Sequence, residues 1–159
     1  MTAIAPSPAG ALDLRIDESD RRADLRAWRS FLRAHAAATR VLEAELEAAE
    51  GLPLASYDVL VQLAEAPDSS VRMSDLAAAV LLSRSGLTRL VDRLAADGLV
   101  ERRACPSDAR GTLAVLTPAG RDRLRQASPT HLRGVHEHFT SKFSDDELDT
   151  LAALLSRVG

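Results

Sequence analysis

Leu82-Ser83-Arg84-Ser85-Gly86-Leu87-Thr88-Arg89-Leu90-Val91-Asp92-Arg93-Leu94, followed by Gly98-Leu99-Val100-Glu101-Arg102-Arg103, decides the fold. Ser83 stands where a helix N-cap accepts a backbone N–H, and Gly98 is a stop signal just past Asp97. Between them Leu87, Leu90, Val91 and Leu94 recur at i, i+3, i+4 and i+7, which marks one buried helical face. After Gly98 the period changes. Leu99 to Arg103 and Thr112 to Leu116 are short extended runs, separated by the turn formers of Ala104 to Gly111, so a two-stranded hairpin with a long tip is predicted.

Upstream, Ser74 is the expected cap of a short helix with Leu76, Ala77 and Val80 inward, after a polar turn Asp68-Ser69-Ser70. Another helix is expected over Ala55 to Ala66, with Tyr57, Leu60, Val61 and Ala64 on one face and Pro67 beyond its end. From Arg21 to Glu50 there is neither Gly nor Pro. Leu25, Trp28, Leu32, His35, Thr39, Leu42, Leu46 and Ala49 alternate at steps of three and four there. This heptad-like stripe lies on a helix of about 45 Å. So small a chain covers only part of such a stripe, and a second chain is the simplest cover for the rest; wrapping by its own domain is the alternative.

Downstream, Thr117-Pro118 opens a fifth helix carrying Leu124, Leu132, Val135, Phe139 and Phe143, with a kink expected at Pro129. Ser144-Asp145-Asp146-Glu147 reads as a capping box before a last helix with Leu148, Leu151, Leu154, Leu155 and Val158 inward. The prediction is a mainly α chain with a small β-wing, a winged helix-turn-helix with long N- and C-terminal helices. Residues 1–20 would be a flexible arm, 52–118 the winged unit, and 21–51 with 119–159 the long helices that flank it.

Composition agrees with such a chain. Of its 159 residues 46% are hydrophobic but only 3% aromatic, so the core is aliphatic and the balance favours helix. One Cys excludes a disulfide framework and a four-thiolate zinc site. The longest apolar run, Leu76 to Leu82, is too short to cross a bilayer. Met1 to Gly10 lacks the pattern of a secretory signal, so a cytoplasmic location is expected. The net charge of −3 argues against nucleic acid, yet Arg72 to Arg110 carries seven Arg against five acids, leaving that segment at +2 and the remainder at −5.

The second helix of a helix-turn-helix enters the major groove of DNA, with residues near its N-terminus facing base edges. Opposite the apolar stripe stand Ser85, Thr88, Arg89 and Asp92, with Arg84 and Arg93 at the margins, and the cap Ser83 is expected to join them in recognition. Hydroxyls and guanidinium forks suit phosphate or guanine, and a carboxylate suits the cytosine amino group. The same residues also suit a solvated helix face. Gly86 serves either a close backbone approach to phosphate or packing against the preceding helix. In the hairpin, Arg103 and the tip Asp108-Ala109-Arg110-Gly111 offer a guanidinium to the narrow minor groove, with Asp108 holding it.

The helix quoted above, with Asp108-Ala109-Arg110-Gly111 and Val115-Leu116-Thr117-Pro118-Ala119-Gly120, resembles the MarR family of transcription regulators. The match covers about Leu25 to Val158. The resemblance implies a homodimeric regulator, most often a repressor, in which the first, fifth and last helices, within 21–51 and 119–159, are the dimerisation helices. It implies binding to double-stranded DNA at a palindromic operator, with Arg110 in the minor groove and Asp108 supporting it. It also implies a small aromatic or phenolic effector in a crevice near Trp28, Phe31, Arg33, His35 and Tyr57. His35 sits on the apolar stripe, where a satisfied core or interface histidine is the commoner outcome.

Other chemistries find less support. Cys105 lies beside Arg102 and Arg103, but relatives that sense peroxide carry their Cys near the start of the first helix. His131, His136 and His138 have no pair at i, i+3 or i, i+4, so no metal site or other cofactor is expected. No Gly-rich phosphate loop, nucleophile elbow or carboxylate pair in a cleft points to an enzyme. The rival reading is a winged-helix protein–protein interaction module without DNA binding, favoured by the acidic total charge.

Overall fold

The computed structural model describes residues 18–80, 82–105 and 108–158, with side chains described from residue 24 onward except over 108–110. The elements run α1 (Glu18–Glu50), α2 (Leu54–Glu65), β1 (Ser70–Arg72), α3 (Met73–Ala79), α4 (Arg84–Ala96), β2 (Val100–Cys105), β3 (Asp108–Leu116), α5 (Pro118–His138) and α6 (Asp145–Leu155). The chain is mainly helical with one small antiparallel sheet, as expected. It divides into two compact units, one ending at Ala36 and the other beginning at Ala37.

In the first unit α1 starts at Glu18, so the last three residues of the expected arm are helical, and residues 1–17 lie outside the described residues. Leu25, Trp28, Phe31 and Leu32 are all exposed.

The second unit holds the core. Leu46, Leu60, Leu63, Leu76, Leu87, Val91 and Val100 are fully or almost fully buried, each such side chain stabilising the fold by about 1.5–3 kcal/mol. Where α4 ends, Gly98 takes φ +72°, the Gly98 N–H returns to Ala95 and the Leu99 N–H returns to Leu94. Both bonds of a Schellman motif are therefore made, and the chain is aimed straight into β2.

The sheet corrects two expectations. It has three strands in the order β1-β3-β2, because Ser70, Val71 and Arg72 pair with Val115, Ala114 and Leu113. Ser70 was expected in a turn, but the open edge of β3 offers unpaired backbone groups that a three-residue strand can satisfy. The hairpin strands are also longer than their local pattern, reaching Cys105 and restarting at Asp108 across a register shift at Ala104/Cys105. The expected long tip is thus mostly strand. Cys105 is buried.

The starts of three helices were legible and one was not. Ser83 accepts from the Gly86 N–H, and Thr117 accepts from the Gly120 N–H with Pro118 in the first turn. Ser144 and Glu147 form the expected capping box, the Ser144 N–H donating to Glu147 Oε2 at 2.9 Å. Gly51, just past α1, takes φ +60°. By contrast α3 starts at Met73 with Arg72 in the cap position, and the Ser74 hydroxyl donates to Asp75 instead of capping.

The C-terminal elements also differ in detail. α5 runs through Pro129 to His138, with Phe139 as its C-cap and Phe143 beyond a 3₁₀ turn, so neither Phe belongs to the helix. No residue of α6 is buried, and Leu154, Leu155 and the following Val158 are exposed rather than inward. Their apolar face has no counterpart among the described residues.

Candidate nucleic-acid interface

α4 begins immediately after Ser83 and exposes Arg84, Ser85, Arg89, Asp92 and Arg93 on the side away from Leu87, Leu90, Val91 and Leu94. The hydroxyls are partly committed. Ser83 Oγ accepts from Gly86 at 3.1 Å, and Thr88 Oγ1 donates to the Arg84 carbonyl at 2.9 Å. Thr88 therefore offers an external ligand its methyl and lone pairs, not its proton. A Cβ at Gly86 would meet Ser83 Oγ at 3.1 Å, so the glycine clears room for the cap and does not pack against α3.

Between the start of α3, the first turns of α4 and the wing lies an open cleft of about 330 Å³, lined by Arg72, Ser74, Arg84, Thr88, Arg102 and Gly111 among others. Arg72 and Arg102 carry charge into this cleft and were not singled out in sequence. Arg72 arrives there because β1 pairs with β3, a contact between residues some forty positions apart. Arg102 Nη1 donates to Asp92 Oδ1, so the carboxylate expected to read a base is held by the wing instead.

Arg103 points its guanidinium at Glu101, with Nη2 at 2.7 Å and Nε at 3.1 Å from Oε2. Its charge is locally compensated, and it stands outside the cleft lining. The side chains of Asp108 and Arg110 lie outside the described residues; their backbone opens β3. Gly111, half-buried, lines the cleft at the wing.

The wing is tied to α4 through the exit of β3. Thr117 Oγ1 donates to the Gly98 carbonyl at 2.7 Å while accepting from Gly120 at 3.0 Å, and the Thr117 N–H donates to the Leu99 carbonyl. A Cβ at Gly120 would sit 2.0 Å from that same Leu99 oxygen. The Leu-Thr-x-x-Gly pattern is thus the joint fixing the wing, the end of α4 and α5 in one frame.

Of the expected effector residues, Trp28, Phe31 and His35 form a row along α1, with ring centroids 6.0 and 6.2 Å apart, and Arg33 is exposed on the same helix. Tyr57 belongs to a different cluster. It is buried on α2, its ring is 4.4 Å from that of His131 on α5, and its hydroxyl donates to Ser128 Oγ at 3.3 Å. Burial pushes the His131 imidazole below its ordinary pKa against the opposing pull of Asp58, and its Nδ1 has no hydrogen-bond partner among the described residues. Asp58 is pushed above the ordinary carboxylate value, chiefly by burial and further by Glu43, with His131 opposing.

Comparison with known proteins agrees with this geometry. Residues 50–111 match the family model described as MarR family. The multiple antibiotic resistance protein MarR of Salmonella typhimurium is 38% identical over 72 residues, 45% of this chain and 50% of that protein, so the match spans half of that relative's length. A MarR family transcriptional regulator from Streptomyces coelicolor, solved in complex with DNA, is 34% identical with a TM-score of 0.77, covering 84% of each chain. AbsC, another MarR family regulator of that organism, is 34% identical with a TM-score of 0.77 over 90% of this chain and 93% of its own. No helix among the described residues is long and apolar enough to cross a membrane. Fold, wing joint and similarity converge, and the chain belongs to the MarR family of transcriptional regulators.

Proposed function

We propose that this chain is a sequence-specific double-stranded DNA-binding transcription regulator, a homodimeric repressor that occupies a palindromic operator and yields to a small ligand. The observation that carries the DNA reading is the cleft in which Arg72, Arg84 and Arg102 converge beside the capped start of α4. Three guanidiniums lining one concave surface suit a phosphate path, which positions a protein on the duplex, while the outward Ser85 and Arg89 suit base edges. Residues 52–118 would form the DNA-binding unit, with Arg110 and Asp108 at the wing tip, acting in the cytoplasm. The Streptomyces coelicolor relative solved with DNA supports the same partner.

Dimerisation is supported in each unit separately. Leu25, Trp28 and Leu32 are uncovered on α1, and Leu154, Leu155 and Val158 at the C-terminal end. Exposed apolar surface of this kind marks association sites, and a second copy supplies the matching surface. An aromatic effector near Trp28, Phe31 and His35 would act by population shift, lowering operator affinity by its differential binding to the two dimer geometries, about 1–3 kcal/mol.

A gel shift with the DNA flanking the chain's own gene, at stated salt, tests the reading. Arg110→Ala is expected to weaken binding by about 1–3 kcal/mol without loss of folding. A chain that binds no duplex, yet captures a protein partner through its winged unit, would favour the interaction-module alternative. Light scattering on the purified chain is expected to give the mass of a dimer.

A further inference from the structure

The three histidines near the C-terminus of α5 are parted by the structure. His131 lies against Tyr57, and His136 Nδ1 lies 3.3 Å from Thr140 Oγ1. His138 turns the other way, its Nε2 2.6 Å from Glu45 Oε1 on α1. Glu137 adds a second carboxylate, and one ligand atom from each of Glu45, Glu137 and His138 falls within 4.8 Å of the others.

Two further features set this trio apart from a chance cluster. Gly134 is one helical turn before His138, and a Cβ there would sit 2.8 Å from Glu45 Oε2 and 2.8 Å from Leu42 Cδ2. The glycine therefore lets the Glu45 carboxylate lie flat against α5, where any side chain would displace it. The charges are also unbalanced. Among the described residues neither Glu45 nor Glu137 is ion-paired with an Arg or Lys, so even a protonated His138 would leave the trio at −1.

We propose that Glu45, Glu137 and His138 form a binding site for a borderline divalent cation, with Zn²⁺ as the best match. One imidazole nitrogen and two carboxylate oxygens suit zinc, and three protein ligands leave a fourth position for water. The His138–Glu45 contact need only open to about 3.3 Å, the edge of a tetrahedron with bonds of about 2.0–2.1 Å. The ion would clasp the later part of α1 to the end of α5, two segments 93 residues apart in sequence. A link of that kind stabilises the fold in proportion to ion concentration over its dissociation constant.

The experiment is a Zn²⁺ titration of the tag-free, EDTA-treated full chain in competition with a chromophoric chelator. One ion per chain is expected, with affinity falling at least about tenfold in His138→Gln and in Glu137→Gln. His136→Gln, which removes an imidazole outside the trio, is expected to bind like the wild type. Glu137 is exposed, so its variant keeps the fold, checked by circular dichroism. Co²⁺ in place of Zn²⁺ is expected to give the strong visible absorption of a tetrahedral site, lost in the same variants. The proposal is overturned if the wild type takes up no more zinc than the Glu45→Gln/Glu137→Gln/His138→Gln triple variant, or if His138→Gln and Glu137→Gln bind undiminished.

Discussion

Arg102 on β2 grips the carboxylate of Asp92 on α4, so one ion pair joins the wing to the helix proposed to enter the groove. Both side chains remain partly exposed, 36% for Arg102 and 54% for Asp92, which limits their worth to stability to at most about 1 kcal/mol. Their weight falls on orientation and charge instead. Without Arg102, Asp92 would face the phosphates as a bare negative charge. Arg102→Ala is expected to weaken DNA binding by about 1–3 kcal/mol while thermal stability barely moves, as read by fluorescence anisotropy beside a melting curve.

Arg84 and Arg89 should separate by the kind of contact each makes. Arg84 lines the arginine cleft and is proposed to meet phosphate, whereas Arg89 is exposed on the outer face of α4 and is proposed to meet base edges. Arg84→Ala is expected to weaken binding to all sequences alike and reduce the salt slope by about 1. Arg89→Ala is expected to relax discrimination at one base pair, costing about 1–3 kcal/mol for the preferred site only. Titrations against a specific and a scrambled duplex at several salt concentrations distinguish the two.

Gly120 carries the joint between wing and α5. An added methyl would strike the Leu99 carbonyl at 2.0 Å and Leu116 Cδ1 at 2.8 Å, and backbone cannot swing aside as a side chain can. Gly120→Ala is therefore expected to destabilise the fold by about 3 kcal/mol. In a chain of this size that lowers the melting temperature by roughly 6–12 °C.

Stability should also fall in mild acid because of His131. Its folded pKa is depressed, so the unfolded chain binds the proton more readily, and stability drops as pH falls below about 6.5 toward the folded value. Asp58, whose folded pKa is raised, acts oppositely: the folded state gains relative stability as pH falls toward the range just above 3.8. Urea melts across that range are expected to show the loss below neutrality in the wild type and a flatter profile in His131→Gln.

Much of this was legible because it is local. The Ser83 cap, the Gly98 stop and the leucines between them are set by residues within a few positions of one another, and α4 follows their pattern. The Leu-Thr-x-x-Gly signal was visible as a helix start, though its grip on Gly98 and Leu99 was not. What escaped was non-local. β1 has three residues and no period of its own, existing because β3 had an open edge, and it delivers Arg72 to the cleft. The Asp92–Arg102 pair crosses a helix-to-strand turn, so a side chain read as a free acceptor was already occupied. The inward reading of Leu154, Leu155 and Val158 failed for a related reason, since periodicity shows which face is apolar but not what covers it.

Hydroxyl-radical footprinting of the wild-type chain on the DNA upstream of its own gene puts the paired α4 helices to the test. Two protected half-sites, related by two-fold symmetry and centred about 10 base pairs apart, are predicted, with both requiring more protein in Arg84→Ala. Protection without symmetry, or a protein requirement unchanged by Arg84→Ala, would contradict a dimer that seats the start of α4 in successive turns of the duplex.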